Sequence, residues 1–296
     1  MKKRISTINR MKKTMKQTYN SIFRLGVETL NNSDIDDAEF DARCLLEHAL
    51  GIDTSKFFII RNDVADSSVI EAYKSLLHRR CSGEPLQYIL GKWEFYSNQF
   101  FVGEGVLIPR PETEILVDEA IRYLNKNPEA VVVDFCSGTG CIAITVAKLF
   151  PNAEVYAVEK YDEAYSYLLK NIKLNDVKNI TTVKGDIFNK NVLSGIKPDL
   201  ILSNPPYVRS ADISDLSCEV QSEPHTALDG GIDGYDFYRI LSDYWFNECT
   251  SFGSAIILEC AEDQGDKITE MLSVYSADTK IVNDFNGLQR IVSAYK

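Results

Sequence analysis

Apolar positions keep a helical period early in the chain and gather into short unbroken runs later. From Ser33 to about Arg80, Ala38, Ala42, Leu45, Leu46, Ala49 and Leu50 recur at helical spacing. Ser33 or Asp34 stands where an N-cap is needed, and Gly51 stops the run. A second helix is predicted from Ser67 or Ser68 to Arg80, closed by Gly83-Glu84-Pro85. Residues 19–86 therefore read as a small helical domain. Gln87 to Val102 is rich in Tyr, Phe, Trp and Ile, with Gly91 and Ser97-Asn98 as turn signals, and predicts a β-hairpin in a linker over 87–108.

Between 109 and 296 the text alternates. Short apolar runs at 131–135, 154–158, 180–183, 199–203 and 255–259 predict strands, separated by helical stretches such as 140–149 and 162–174. This is the pattern of an α/β fold with a Rossmann-like, doubly wound parallel sheet. Two last strands, near 279–284 and 289–295, flank Asn286-Gly287, so an antiparallel hairpin is expected to close that sheet.

Composition narrows the class. At 296 residues, 45% apolar and 25% charged, the chain has the make-up of an ordinary soluble globular enzyme. Its 32 Lys and Arg against 43 Asp and Glu leave a net charge of −11, a field that disfavours stable nucleic-acid binding. Seven scattered cysteines, with no C-x-x-C pair, suggest neither a disulfide framework nor a zinc site and point to a reducing cytoplasm. His48, His78 and His225 lack metal-ligand spacing, so no metal is expected. No run reaches the roughly 18 apolar residues of a membrane span, and no apolar signal core follows the basic start. Residues 1–18 form a basic tail, with Lys2, Lys3, Arg4, Arg10, Lys12, Lys13 and Lys16, read as a solvated extension rather than an RNA-binding arm.

Two segments carry chemistry. Asp134, Cys136, Ser137, Gly138, Thr139 and Gly140 follow a buried strand and open a helix, a glycine-rich turn that lets the backbone approach a ligand at the carboxyl edge of a sheet. Gly138-x-Gly140-x-x-Ala143, with Glu159 downstream, also satisfies the loose dinucleotide pattern. Charge separates the two ligands: Asp134, Glu159 and Asp186 each end or follow a strand, so three carboxylates are expected at one edge. A pyrophosphate is repelled there, whereas S-adenosylmethionine brings a sulfonium, an ammonium, a ribose diol and an adenine amine.

The second segment is Asn204-Pro205-Pro206-Tyr207, delivered by the strand that ends at Ser203. A planar NH2 group is a poor nucleophile because its lone pair is delocalised, so it has to be held and polarised. The Asn204 side-chain oxygen and the Pro205 carbonyl can each accept one of its N–H bonds, aiming the nitrogen at a methyl donor. Pro205 and Pro206 stiffen the segment, and Tyr207 offers a flat face to the acceptor.

On these residues the chain resembles the HemK/PrmC protein-(glutamine-N5) methyltransferases, a class I S-adenosylmethionine-dependent family. The resemblance runs from about residue 35 through Gly83-x-Pro85-x-Gln87-Tyr88-Ile89-x-Gly91, Glu94-Phe95, Leu107 to Glu114, the Asp134 to Gly140 loop, Asn204 to Tyr207, and Glu223-Pro224 with Ala227 to Gly234. It implies a class I methyltransferase domain over 109–296, with Glu159 on the ribose, Asp186 and Ile187 near the adenine, and Asn204 beside the methyl group. It further implies that Asn204 to Tyr207 hold the glutamine of a release factor's Gly-Gly-Gln loop and that the helical domain helps dock the release factor. Arg110 is a candidate substrate contact or a partner of Glu112. Cys136 departs from the family, which commonly has glycine there, and its thiol is read as packed rather than reactive. A monomeric cytoplasmic enzyme is expected. The competing functions are an adenine-N6 methyltransferase on DNA or RNA, a dinucleotide-dependent oxidoreductase, and a donor-binding module without catalysis.

Overall fold

The computed structural model describes residues 17–296, so the basic residues 2–16 lie outside the described residues. The described chain forms two compact units, the first ending at Gly91 and the second starting at Lys92.

The first unit is helical: α1 (Tyr19–Asn31), α2 (Ala38–Leu50), α3 (Thr54–Ile60), α4 (Ser67–Cys81) and the short α5 (Leu86–Leu90). Side-chain caps set three starts, Thr18, Asp37 and Asp53 each accepting from a backbone N–H in the first turn. The α2 cap is thus Asp37, a few residues beyond the expected Ser33 or Asp34. Helix α1 does not show as a periodic apolar run because one buried position is Gly26 and another Thr29. Gly26 has a packing reason: a Cβ there would lie 1.8 Å from the Tyr73 hydroxyl, which reaches past it to donate to the Ala42 carbonyl at 3.0 Å. Ile22, Leu30, Leu45, Leu46 and Leu77 complete this core, and the buried Arg80 pairs with the buried Asp41 at 2.6 Å.

The expected hairpin is shorter than 87–102. Its first residues are the helical turn α5, and Gly91, at φ +72°, caps that helix rather than turning a hairpin. Strands β1 (Lys92–Phe95) and β2 (Asn98–Phe101) follow, joined through Tyr96 and Ser97, both at positive φ. That two-residue geometry matches the right-handed twist of the flanking strands. Phe95 and Phe100 are buried in the core of the second unit, so the hairpin is part of that unit's fold.

The second unit carries α6 (Thr113–Leu124), β3 (Val131–Phe135), α7 (Cys141–Leu149), β4 (Glu154–Glu159), α8 (Asp162–Asn175), β5 (Ile180–Lys184) and β6 (Leu200–Ser203). Then come α9 (Asp236–Ile240), which runs on into a π-helical stretch at Leu241–Phe246, β7 (Ala255–Glu259), α10 (Gly265–Ser273), β8 (Asp278–Asn283) and β9 (Gln289–Tyr295). The sheet order is β5-β4-β3-β6-β7-β9-β8, with β9 antiparallel between β7 and β8 and the remaining pairs parallel. Both faces are covered, one core cluster holding α6 and α7 residues and the other Trp245, Phe246, Ile268 and Leu272. The topology reverses between β3 and β6, where open α/β sheets bind ligands. Phe135 and Ser203 are register partners there, so the segments after each strand leave the sheet side by side.

Candidate active site

The residues after β3 and β6 border a cavity of about 950 Å³, its open mouth included. Cys136, Ser137, Gly138 and Thr139 line it from the first segment, Asn204 and Pro206 from the second, and Arg110 and Thr113 from the chain entering α6. Glu159, Asp186 and Ile187 line it from beyond β4 and β5. The structure thus brings together most of the predicted site residues, from positions up to 96 residues apart in sequence numbering between Arg110 and Pro206.

Four predicted residues do not line the cavity. Gly140, at φ +79°, opens α7, and a Cβ there would lie 2.4 Å from Leu168 Cδ1, so its bareness serves packing beneath the loop. Asp134 is fully buried within β3, and neither carboxylate oxygen has a hydrogen-bond partner among the described residues. Burial pushes its carboxyl up to about 7. The expected three-carboxylate edge is therefore a two-carboxylate edge. Pro205 is buried, and Tyr207 packs against the second core cluster, where burial raises its phenol to about 12.

Glu159 is the centre of the loop. One oxygen accepts from the Gly138 N–H at 2.9 Å and the other from the Tyr161 N–H at 2.8 Å. Burial raises its pKa while those N–H bonds oppose the shift. A carboxylate has about four acceptor positions, so two remain for ligand hydroxyls. At Asp186 burial works against ionisation, but the Lys160 ammonium at 2.8 Å and the Phe188 N–H outweigh it and hold the carboxyl below its ordinary value. Phe188 and Phe237, an edge-on pair 5.1 Å apart, add flat apolar wall beside Ile187. Cys136 sits at φ +59°, a left-handed conformation that favours glycine, and burial followed by the Glu159 and Asp134 charges pushes its thiol well up, which makes it a packed rather than a reactive group.

At the acceptor side, Asn204 Nδ2 donates to Thr113 Oγ1 at 3.3 Å, and no described residue donates to Asn204 Oδ1. Arg110 pairs with Glu223, not with Glu112, and the other Glu223 oxygen accepts from the Ile108 N–H at 3.1 Å. Beyond the tetrapeptide, Val208 and Asp229 form a bridge, and Gly230 lies against the Tyr207 backbone, where a Cβ would come within 2.7 Å of Tyr207 Cα. Gln264 donates to the Tyr207 carbonyl at 3.0 Å and to the Gly234 carbonyl at 3.3 Å. The Glu223 to Gly234 segment thus clamps the chain ahead of α6 at one end and the chain beyond the tetrapeptide at the other.

The PrmC N-terminal domain family model matches residues 21–91, and the TRM5/TYW2 methyltransferase domain model matches residues 115–217. The release factor glutamine methyltransferase of Thermodesulfovibrio yellowstonii is 35% identical over 263 residues, 86% of this chain and 92% of that protein. That of Geobacter sulfurreducens is 36% identical over 266 residues, 89% and 91% of the two chains. The chain belongs to the release factor glutamine methyltransferase family. Among solved structures, the hMettl16 catalytic domain in complex with the MAT2A 3'UTR hairpin 6 is similar at a TM-score of 0.52, covering 66% of this chain and 75% of that one. At 15% identity the likeness is one of fold, and that fold is the class I methyltransferase sheet.

For this glutamine methyltransferase family member, the loop's own bonding tests the fit of the methyl donor. The Ser137 N–H goes to the Val158 carbonyl, the Gly138 N–H to Glu159 and the Gly140 N–H to the Ser137 carbonyl. Three of the loop's N–H groups are thus spent within the protein and a carboxylate stands among them, so the loop suits a cationic ligand rich in hydroxyl donors better than a pyrophosphate. Sequence reasoning missed Thr113, Glu223, Gln264 and Asn171. Asn171 is buried and joins the Phe101 N–H to the Thr139 carbonyl, holding the loop to the hairpin. Of these four, Thr113 and Glu223 stand in motifs that the family resemblance uses, and those motifs assign them no role.

Proposed function

We propose that this chain transfers the methyl group of S-adenosylmethionine to the side-chain N5 nitrogen of the glutamine in the Gly-Gly-Gln motif of peptide chain release factors. The observation that supports it most is Asn204 standing at the end of β6, its side-chain oxygen without a partner among the described residues, in one cavity with the Cys136 to Thr139 loop. When bound, S-adenosylmethionine supplies an electrophilic methyl group on a sulfonium. Glu159 takes the ribose hydroxyls on its two remaining acceptor positions. Asp186, Ile187 and the Phe188–Phe237 wall enclose the adenine, with the Asp186 charge kept by Lys160.

Asn204 Oδ1 accepts one N–H of the substrate carboxamide and the Pro205 carbonyl the other, drawing electron density out of the amide resonance and aiming the nitrogen lone pair at the methyl group. Pro206 narrows the cavity wall beside them. No strong base is needed, because the N-methylated amide is acidic and gives its proton to solvent after transfer. Arg110, which pairs with Glu223 and lines the cavity, would meet the substrate loop. The helical unit would dock the release factor, and the enzyme would act as a cytoplasmic monomer without stable nucleic-acid binding. The test is Asn204→Ala: donor affinity stays within about threefold while methyl transfer falls by about 100-fold or more, the size of effect seen when one oxyanion-type partner is removed. Unchanged turnover in that variant refutes the assigned mechanism.

A further inference from the structure

We propose that Trp245 and Tyr244, on the π-helical stretch that follows α9, are positioning residues for the base of the methyl donor: by holding the chain after β5 they keep the Asp186 carboxylate aimed at the adenine amine. The inference deepens the donor reading above and rests on it, because Asp186 faces an adenine only where S-adenosylmethionine occupies the cavity. Neither Trp245 nor Tyr244 lines that cavity, so both act through the residues that do.

Trp245 Nε1 donates to the Ile187 carbonyl at 2.9 Å, and the side chain is 1% exposed. A buried indole needs an acceptor in any fold, so that bond alone shows little. What matters is the other side of the same peptide unit, where the Phe188 N–H donates to Asp186 Oδ1 at 3.0 Å. Carbonyl and N–H point to opposite sides of one rigid plane, so a rotation of that plane breaks both bonds together. The indole fixes the plane, and the plane fixes the carboxylate. Asp186 Oδ2 meets the Lys160 ammonium at 2.8 Å, which leaves about one acceptor position on each oxygen for a ligand amine.

The π-helical winding accounts for two neighbouring side chains reaching one loop. Successive residues of an α-helix point about 100° apart, and the wider π turn brings them closer in direction. Such turns are rare and recur at functional sites. Here the Tyr244 and Trp245 rings lie edge to face, 4.9 Å apart. The Tyr244 hydroxyl donates to the Lys190 carbonyl at 3.0 Å, and the Lys190 ammonium lies 4.3 Å from the centre of the same ring. The chain after β5 is thus tied at Ile187 and again at Lys190. Trp245 also packs on Phe135, with 4.7 Å between the rings, and Phe135 ends β3 directly before Cys136. One indole therefore braces the adenine wall of the cavity from the root of the donor loop.

The experiment measures calorimetric affinities for S-adenosylhomocysteine and for S-inosylhomocysteine, whose base carries a carbonyl oxygen in place of the amine, in wild type, Trp245→Phe and Tyr244→Phe. Donor KM and kcat for methylation of a release factor are measured alongside. A carboxylate aimed at the amine rejects the oxygen, so wild type is expected to prefer S-adenosylhomocysteine by roughly 100-fold. Trp245→Phe keeps a ring in the core but loses the N–H. It is expected to cut the preference to about 10-fold, with donor KM up about 10-fold and kcat within about threefold. Tyr244→Phe loses only a hydroxyl and is expected to cut the preference by about threefold. Weaker binding of both ligands by Trp245→Phe with the preference unchanged makes the indole a packing group and overturns the proposal while leaving the function standing. If Trp245→Phe does not fold, an unchanged preference in Tyr244→Phe overturns it instead. Equal affinities in wild type overturn the Asp186 assignment, and no binding of S-adenosylhomocysteine overturns the donor reading; the proposal falls with either.

Discussion

Glu159→Gln keeps the size of the side chain and removes its charge, which isolates what the carboxylate does. In the wild type its two oxygens accept from the Gly138 and Tyr161 N–H groups at 2.9 and 2.8 Å. A glutamine has one oxygen, so one of those N–H groups faces an NH2 and is left unmet, at about 1–3 kcal/mol of stability. The donor loses more. A ribose hydroxyl bound to a charged acceptor contributes about 1.5–3 kcal/mol, so S-adenosylmethionine affinity should fall by roughly 10–100-fold. Calorimetric titration measures the second effect and urea unfolding the first. An affinity within about twofold of wild type would show that Glu159 is only a loop brace and that the donor site has been misassigned.

Gly140→Ala places a methyl group 2.4 Å from Leu168 Cδ1 at φ +79°, and left-handed strain with overpacking should destabilise the fold by roughly 2–5 kcal/mol in urea unfolding. Arg110→Ala leaves the buried Glu223 carboxylate without its cation; with the Arg110 side chain 31% exposed, the loss should be near the low end for a broken buried pair, about 3 kcal/mol at pH 8. That loss should shrink as the pH falls, because burial raises the Glu223 carboxyl and, without the Arg110 cation, favours its neutral form further. Asp134 titrates near 7 in the folded state against 3.8 for a free aspartate, so the native state holds the extra proton between those values. Its contribution to stability is full below about pH 4 and is lost as pH rises through 7, and Asp134→Asn should flatten the measured stability over that window.

The fold is legible in the sequence where a single local rule decides. Asn204 can be read because a buried strand ends directly on two prolines, and the α/β order because apolar runs and helical periods alternate. What escapes is whatever depends on facing. The run Val131 to Phe135 is apolar on both sides of Asp134, so nothing local shows that its carboxylate turns under α7 instead of into the cavity. Gly138 and Gly140 look alike in sequence, yet one lines the cavity and the other relieves a contact with Leu168. Glu223 reaches Arg110 across 113 residues and Gln264 reaches Tyr207 across 57, single hydrogen bonds with no periodic signature. Tyr96 and Ser97 turn the hairpin at positive φ although neither is a favoured residue there, which is why the sequence signal, Ser97-Asn98, falls one residue late.

The most direct measurement incubates the protein with isotope-labelled S-adenosylmethionine and a release factor, alongside its Gly-Gly-Gln to Gly-Gly-Ala variant, and locates the label by mass spectrometry. The account predicts one methyl group on the side-chain nitrogen of that glutamine and none on the variant. Label absent from the glutamine, with label on adenine of added nucleic acid, would contradict it.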